Sequence, residues 1–230
     1  MHRSGTSATS NLLEANGLFL GDDLIDANTH NPVGFFESER AIVLNEAVLR
    51  RFGSGYLDPS PLVNRFPTKL YKQAIRYLLE LSTEHKVVGW KDPRTTVTWP
   101  CWQEVLSDCQ VRPICVFRHP DAVVRSLMKI YSDLDREKSL RCWLTYNRRL
   151  LGLGADVEWI NFDESLGPQL DRVLSRLGLQ FDEATLDRFD TSLVHNQSKA
   201  SPTGDAEVDA TYEWLHTVWS AAHGRSEAPR

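Results

Sequence analysis

The chain has 230 residues, enough for one α/β domain of ordinary size and hardly for two. Apolar residues make up 41% and charged residues 25%, which excludes a disordered tail, a collagen-like repeat and a disulfide-dense miniprotein. Twenty-six Lys and Arg against 31 Asp and Glu leave −5, so a general nucleic-acid or anionic-membrane surface is disfavoured, and no run approaches the roughly 18 apolar residues of a membrane span.

The most chemically loaded segment comes first. His2 to Ser7 is a short glycine-containing loop feeding a predicted helix, Ala8 to Ala15, which Gly17 ends. Consecutive backbone N–H groups at such a helix start make an anion cradle, so Ser4, Gly5, Thr6 and Ser7 are candidate phosphate-binding residues and Arg3 adds a forked cation. The GxxxxGK[ST] spacing is absent, which disfavours an ATP- or GTP-hydrolysing enzyme. The same segment also reads as a Ser/Thr-rich cap on a surface helix. A second helix is predicted from Ala41 to Phe52, stopping at Gly53, and Pro67 opens a third carrying Leu70, Ala74, Ile75, Leu78 and Leu79. A β-rich run, Lys86 to Trp90, leads directly into Lys91-Asp92-Pro93-Arg94, where two cations flank a tight turn. That turn either aims both cations at one crevice or closes on itself through Asp92 and Arg94.

Pro100 is expected to open the next helix. Pro113 to Phe117 reads as a strand, Arg118 follows it, Pro120 starts a helix, and Ser126 lies about two turns in. This places a guanidinium and a hydroxyl where both can reach one phosphate, unless Arg118 merely caps a turn beside a surface serine. Leu140 to Leu153 and Pro168 to Leu177 are predicted helices, the second closed by Gly178, with a strand from Val157 to Phe162 between them. Asp190 to Asp209 reads as a polar loop, Ala210 to Ala222 as a last amphipathic helix, and the final seven residues are expected to fray.

Strands alternating with helices imply an α/β fold, a parallel sheet covered on both faces, with ligands at the carboxyl ends of the strands. Cys101, Cys109, Cys115 and Cys142 form no CxxC pair, and the seven histidines show no ligand spacing. No metal or disulfide framework is implied, and reduced thiols in a cytoplasmic compartment fit best. Trp90, Trp99 and Trp102 could stack on a sugar ring, but core packing is the favoured reading.

Together these segments resemble the sulfotransferases that use 3′-phosphoadenosine 5′-phosphosulfate (PAPS). Arg3-Ser4-Gly5-Thr6-Ser7 is similar to the family's 5′-phosphosulfate loop in the arginine form of the carbohydrate and tyrosyl-protein branches. Arg118 and Ser126, eight apart, are similar to its 3′-phosphate signature. Lys91-Asp92-Pro93 resembles a tyrosyl-branch segment whose lysine contacts the transferring group. Asn31 to Glu37, followed by Leu44-Asn45-Glu46, resembles a stretch of bacterial members. The resemblance runs in order from residue 2 to about residue 165. It implies a P-loop-like three-layer fold, PAPS as sulfuryl donor with 3′,5′-adenosine bisphosphate as product, and a carbohydrate or other small-molecule acceptor. Arg3, Lys91 and Glu37 are then the catalytic candidates, Glu37 as the base that accepts the acceptor's proton; Asp92 and His195 are weaker alternatives for that role.

The glycine-rich C-terminal cofactor loop and the histidine base of the cytosolic steroid and phenol branch have no match. A P-loop nucleotide-dependent kinase, or a module that binds a nucleotide or sulfated ligand without turnover, are the competing readings. The chain is expected to form a single domain over 1–230. In the family's fold a buried strand leads into the phosphate loop, so a first strand is expected upstream of Met1.

Overall fold

Two four-residue strands of the computed structural model, β1 (Ile114–Phe117) and β2 (Glu158–Asn161), run parallel, with Ile114 opposite Glu158 and Phe117 opposite Asn161. The structure describes residues 1–29, 31, 34–59, 63–153, 156–188 and 201–224. Side chains alternate across a strand with a period of two, and both faces here are covered. Cys115, Phe117 and Trp159 enter one apolar cluster, and Val116, Ile160 and Phe162 enter the other.

Helices supply the rest of each cluster. On the first face lie α2 (Glu39–Arg51), α3 (Thr68–Leu81), α4 (Thr95–Val105), α5 (Pro120–Ile130), α6 (Arg136–Leu150) and α8 (Ala206–His223). On the second lie α1 (Thr6–Ala15) and α7 (Leu166–Arg176), with a short 3-10 helix, Glu183–Arg188, against α1. The result is an α/β fold of three layers, with a parallel sheet between helices. Ile160, Leu170 and Leu174 have no exposed surface, and burying each such side chain stabilises by about 1.5–3 kcal/mol.

Local chemistry explains most boundaries. Ser38, Asp135 and Asp205 accept first-turn N–H groups of α2, α6 and α8, so α6 and α8 begin about one turn before the apolar pattern does. The polar segment predicted as loop to Asp209 therefore ends at Asp205, and its part from 190 to 200 lies outside the described residues. Pro120 opens α5 as expected, but Pro100 does not open α4. It sits inside that helix, which starts at Thr95 because Asp92 organises the preceding turn through bonds to the Arg94 and Thr95 N–H groups. Proline removes only its own N–H, so the helix continues through it with one bond fewer.

The Lys86–Trp90 run forms no strand: Lys86 and Val87 are bends, and it joins the fold through a single parallel bridge, Val88 to Phe19, instead of pairing with β1. A cavity of about 1090 Å³, lined by Val87, Val88, Trp90, Ile114, Cys115 and Val116 among others, adjoins both segments. Trp102 is fully buried, and Trp90 and Trp99 pack partly buried against the same core.

Candidate functional site

The loop before α1 departs from ordinary backbone geometry. Gly5, the residue preceding the helix, has φ +86°, and a Cβ placed there would lie 2.1 Å from the Phe162 ring. Only glycine fits. No side chain caps α1, so its first-turn N–H groups are left to a ligand or to water, and the Ser4 hydroxyl is buried without a partner. Arg3 sits at φ +62°, and the only other non-glycine residue described with positive φ is Phe36, at +55°. Both flank the site, where strained backbone of this kind, costing about 1–3 kcal/mol per residue, is sustained by its surroundings.

The Phe36 bend turns the preceding carbonyl and the following carboxylate toward one ammonium. Lys91 Nζ donates to the Phe35 carbonyl at 3.0 Å, to Glu37 Oε1 at 2.6 Å and to Ser7 Oγ at 3.2 Å. Lys91 and Glu37 side chains are only 11% and 8% exposed, so the pair is dry enough for burial to dominate both titrations. Burial pushes the Glu37 carboxyl up, against the opposing pull of Lys91, and pushes the Lys91 ammonium down. A carboxylate of raised basicity, held beside the phosphate-type loop, can accept a proton.

Next to this pair is a hydrogen-bonded support centred on Asp92. Asp92, with no exposed side-chain surface, accepts from Arg94 Nη1 at 2.8 Å and from Asn45 Nδ2 at 2.8 Å. Asn45 in turn accepts from Thr98 and from the Trp102 indole. Arg94 reaches Glu46 at 3.1 Å and Glu37 at 3.8 Å and lies over the Tyr56 ring at 4.3 Å. Burial opposes the Arg94 charge, but Asp92, Tyr56 and Glu37 more than offset it and raise its pKa. His2 stacks on the same Tyr56 ring at 4.3 Å, and burial and the surrounding positive charge push its pKa well down. Asp92 thus has both oxygens engaged in holding the turn.

A second group forms at the carboxyl ends of β1 and β2. Arg3 Nε donates to Ser126 Oγ at 2.9 Å, joining residues 123 apart in sequence. Arg118 follows β1, with its Nε 3.4 Å from Asp163 Oδ1 and its guanidinium 5.3 Å from the Phe162 ring centre. Burial and the nearby Arg3 and Arg125 lower the Arg118 pKa, Asp163 opposing them. The cationic cluster that the net charge concealed is here.

The structure therefore brings Arg3, Ser7, Glu37, Lys91 and Ser126 into two bonded groups joined by the Arg3–Ser7 loop, with Arg118 beside them. His195 lies outside the described residues. Sequence reasoning missed Asn45 as a hub, Tyr56 and Arg94 as a stacked pair, and Asp163. The last had a usable signal, since it follows directly on an apolar run that reads as a strand. Among the described residues no group of His, Cys, Asp or Glu is placed to hold a metal ion, and no helix is long and apolar enough to cross a membrane.

A solved structure, the sulfotransferase domain from the Synechococcus PCC 7002 olefin synthase, matches with a TM-score of 0.57 at 18% identity, over 99% of this chain and 92% of that chain. The two chains share a fold. No family model and no curated protein sequence matches this chain.

Proposed function

We propose that the chain is a sulfotransferase, carrying the sulfuryl group of PAPS to a hydroxyl of a carbohydrate or other small molecule. One observation carries the reading: three segments far apart in sequence meet on a single uncapped helix start, Arg3 bonded to Ser126 and Ser7 bonded to the Lys91–Glu37 pair. The residues present suit a donor with phosphate at both ends. Ser4 to Ser7 offer main-chain N–H groups and a buried, unpartnered hydroxyl for the 5′ side, while Arg118 and Ser126 would hold the 3′-phosphate. When bound, PAPS supplies an activated sulfuryl group.

The chain's own residues do the remainder. Glu37 takes the proton of the acceptor hydroxyl, a contribution of about 10²–10⁴-fold for general bases. Burial raises its pKa and so its basicity, which suits that work. Lys91 fixes the Glu37 carboxylate and, with Arg3, supplies preorganised positive charge beside the loop. The four cysteines are free thiols, which supports a reducing, cytoplasmic setting.

Calorimetry with 3′,5′-adenosine bisphosphate, run alongside transfer of labelled sulfate from PAPS to a panel of sugar, lipid and phenolic acceptors, tests the proposal. Binding together with transfer to at least one hydroxyl is expected. A folded chain that ignores the bisphosphate would sink the reading. Binding without transfer to any acceptor would leave a nucleotide-binding module, and magnesium-dependent ATP turnover would leave a kinase.

A further inference from the structure

The Arg118 site contains a group that charge alone would argue against. A carboxylate, Asp163, faces the guanidinium from the neighbouring strand end, where a bound anion would be repelled by it. Its placement is nevertheless well determined. Because β1 and β2 run in register with Phe117 opposite Asn161, the residues after each strand emerge side by side. Asp163 Oδ2 accepts the His119 N–H at 2.6 Å while Oδ1 faces Arg118 Nε, so one carboxylate spans both residues that follow β1.

That carboxylate is itself anchored. The Asp163 N–H donates to Asn161 Oδ1 at 3.1 Å. Gln169 of α7 brackets the Asn161 backbone, accepting its N–H at 2.8 Å and donating to its carbonyl at 3.0 Å. Trp219 of α8 donates to the same Gln169 carbonyl oxygen at 2.8 Å. On the opposite side the Trp143 indole holds the Arg118 carbonyl at 3.2 Å. A guanidinium recognises phosphate through the plane of its fork, so fixing Nε fixes the direction in which the fork points.

We infer that Asp163 is a positioning residue for nucleotide recognition: by holding the Arg118 plane it makes the site discriminate a nucleotide bearing a 3′-phosphate from one lacking it. This rests on the sulfotransferase reading and adds to it the residue that sets donor selectivity. Removing the carboxylate takes away the bond at Arg118 Nε and with it one restraint on the plane of the fork, so the selectivity drops although a repelling charge has gone.

The test is calorimetry of the full chain with 3′,5′-adenosine bisphosphate and with 5′-AMP, for the wild type, Asp163→Asn and Asp163→Ala. Asp163→Asn keeps an oxygen for the His119 N–H, so the strand end stays folded, and unfolding curves of each variant check this. The expected result is a fall of about tenfold in the ratio of the two affinities in both variants, carried by the bisphosphate, with 5′-AMP binding nearly unchanged. An unchanged ratio, an equal loss for both ligands, or tighter bisphosphate binding overturns the inference alone. Failure of the wild type to bind the bisphosphate overturns the proposed function and this inference with it.

Discussion

On the proposed function, the Lys91 end and the Arg118 end of the site have opposite tasks. Around Lys91, three carboxylates (Glu37, Glu46, Asp92) meet two cations (Lys91, Arg94) in ion pairs of 2.6 to 3.8 Å, all with largely buried side chains but for the half-exposed Glu46. Around Arg118, the nearby Arg3 and Arg125 join burial in lowering its pKa, and Asp163 opposes them. The first region is cross-linked by these bonds and carries one more carboxylate than cations; the second gathers arginines around Arg118. Cross-linking suits a place where a proton must be moved along a defined direction, and gathered positive charge one where an anion must be captured. A residue's effect on turnover or on affinity should therefore follow from the region that contains it.

The hardest test of that division is Lys91→Ala. It leaves the buried Glu37 carboxylate with only the more distant Arg94 for a partner, at a cost of up to about 3–5 kcal/mol, and it removes a fixed cation from the loop. Transfer of labelled sulfate should fall by more than about 10²-fold, and denaturant unfolding should shift to a clearly lower midpoint. Next comes Glu37→Gln, which should lower kcat by about 10²–10⁴-fold while bisphosphate affinity stays within about threefold. Equal loss of affinity here and in Arg118→Ala would erase the contrast between the regions. The wild type should also show a kcat that rises with pH through a midpoint above the usual carboxylate range, because Glu37 must lose its proton to act and burial raises its pKa. Glu37→Gln should lack that limb.

On the capture side the effects are smaller. Arg118→Ala should weaken bisphosphate binding by roughly 10–100-fold, the worth of charge-assisted bonds, with single-turnover rates at saturating donor little changed. Ser126→Ala should cost only about fivefold, one neutral hydrogen bond. A larger effect of Ser126→Ala on turnover than on affinity would mean that its bond to Arg3 serves the Lys91 region instead.

Much of the capture region is legible in the sequence, and little of the cross-linked one around Lys91. Arg118 follows an apolar run and precedes a proline, so strand end and helix start are both marked locally. The glycine-bearing loop is marked in the same way. The Lys91–Glu37 bond joins residues 54 apart through a bend at Phe36, and no local pattern announces a bulky residue with positive φ. Asn45 looks like any polar residue within a helix, yet tertiary packing makes it the acceptor for Thr98 and Trp102. Lys86–Trp90 has strand composition, but composition does not provide a neighbouring edge, and the described chain gives it one bridge. Pro100 misleads because a proline marks a helix start only when nothing upstream has already organised the first turn.

Phe162 touches both halves of the capture region. Its ring fills the space that a Gly5 side chain would need, and the same ring lies near the Arg118 guanidinium. It works as a spacer block, setting how far the helix-start cradle stands from the arginine that follows β1. On the proposed function, trimming it should let the two draw together and favour a ligand whose two anionic groups are closer, so the thickness of one aromatic ring would set the span between the donor's phosphates.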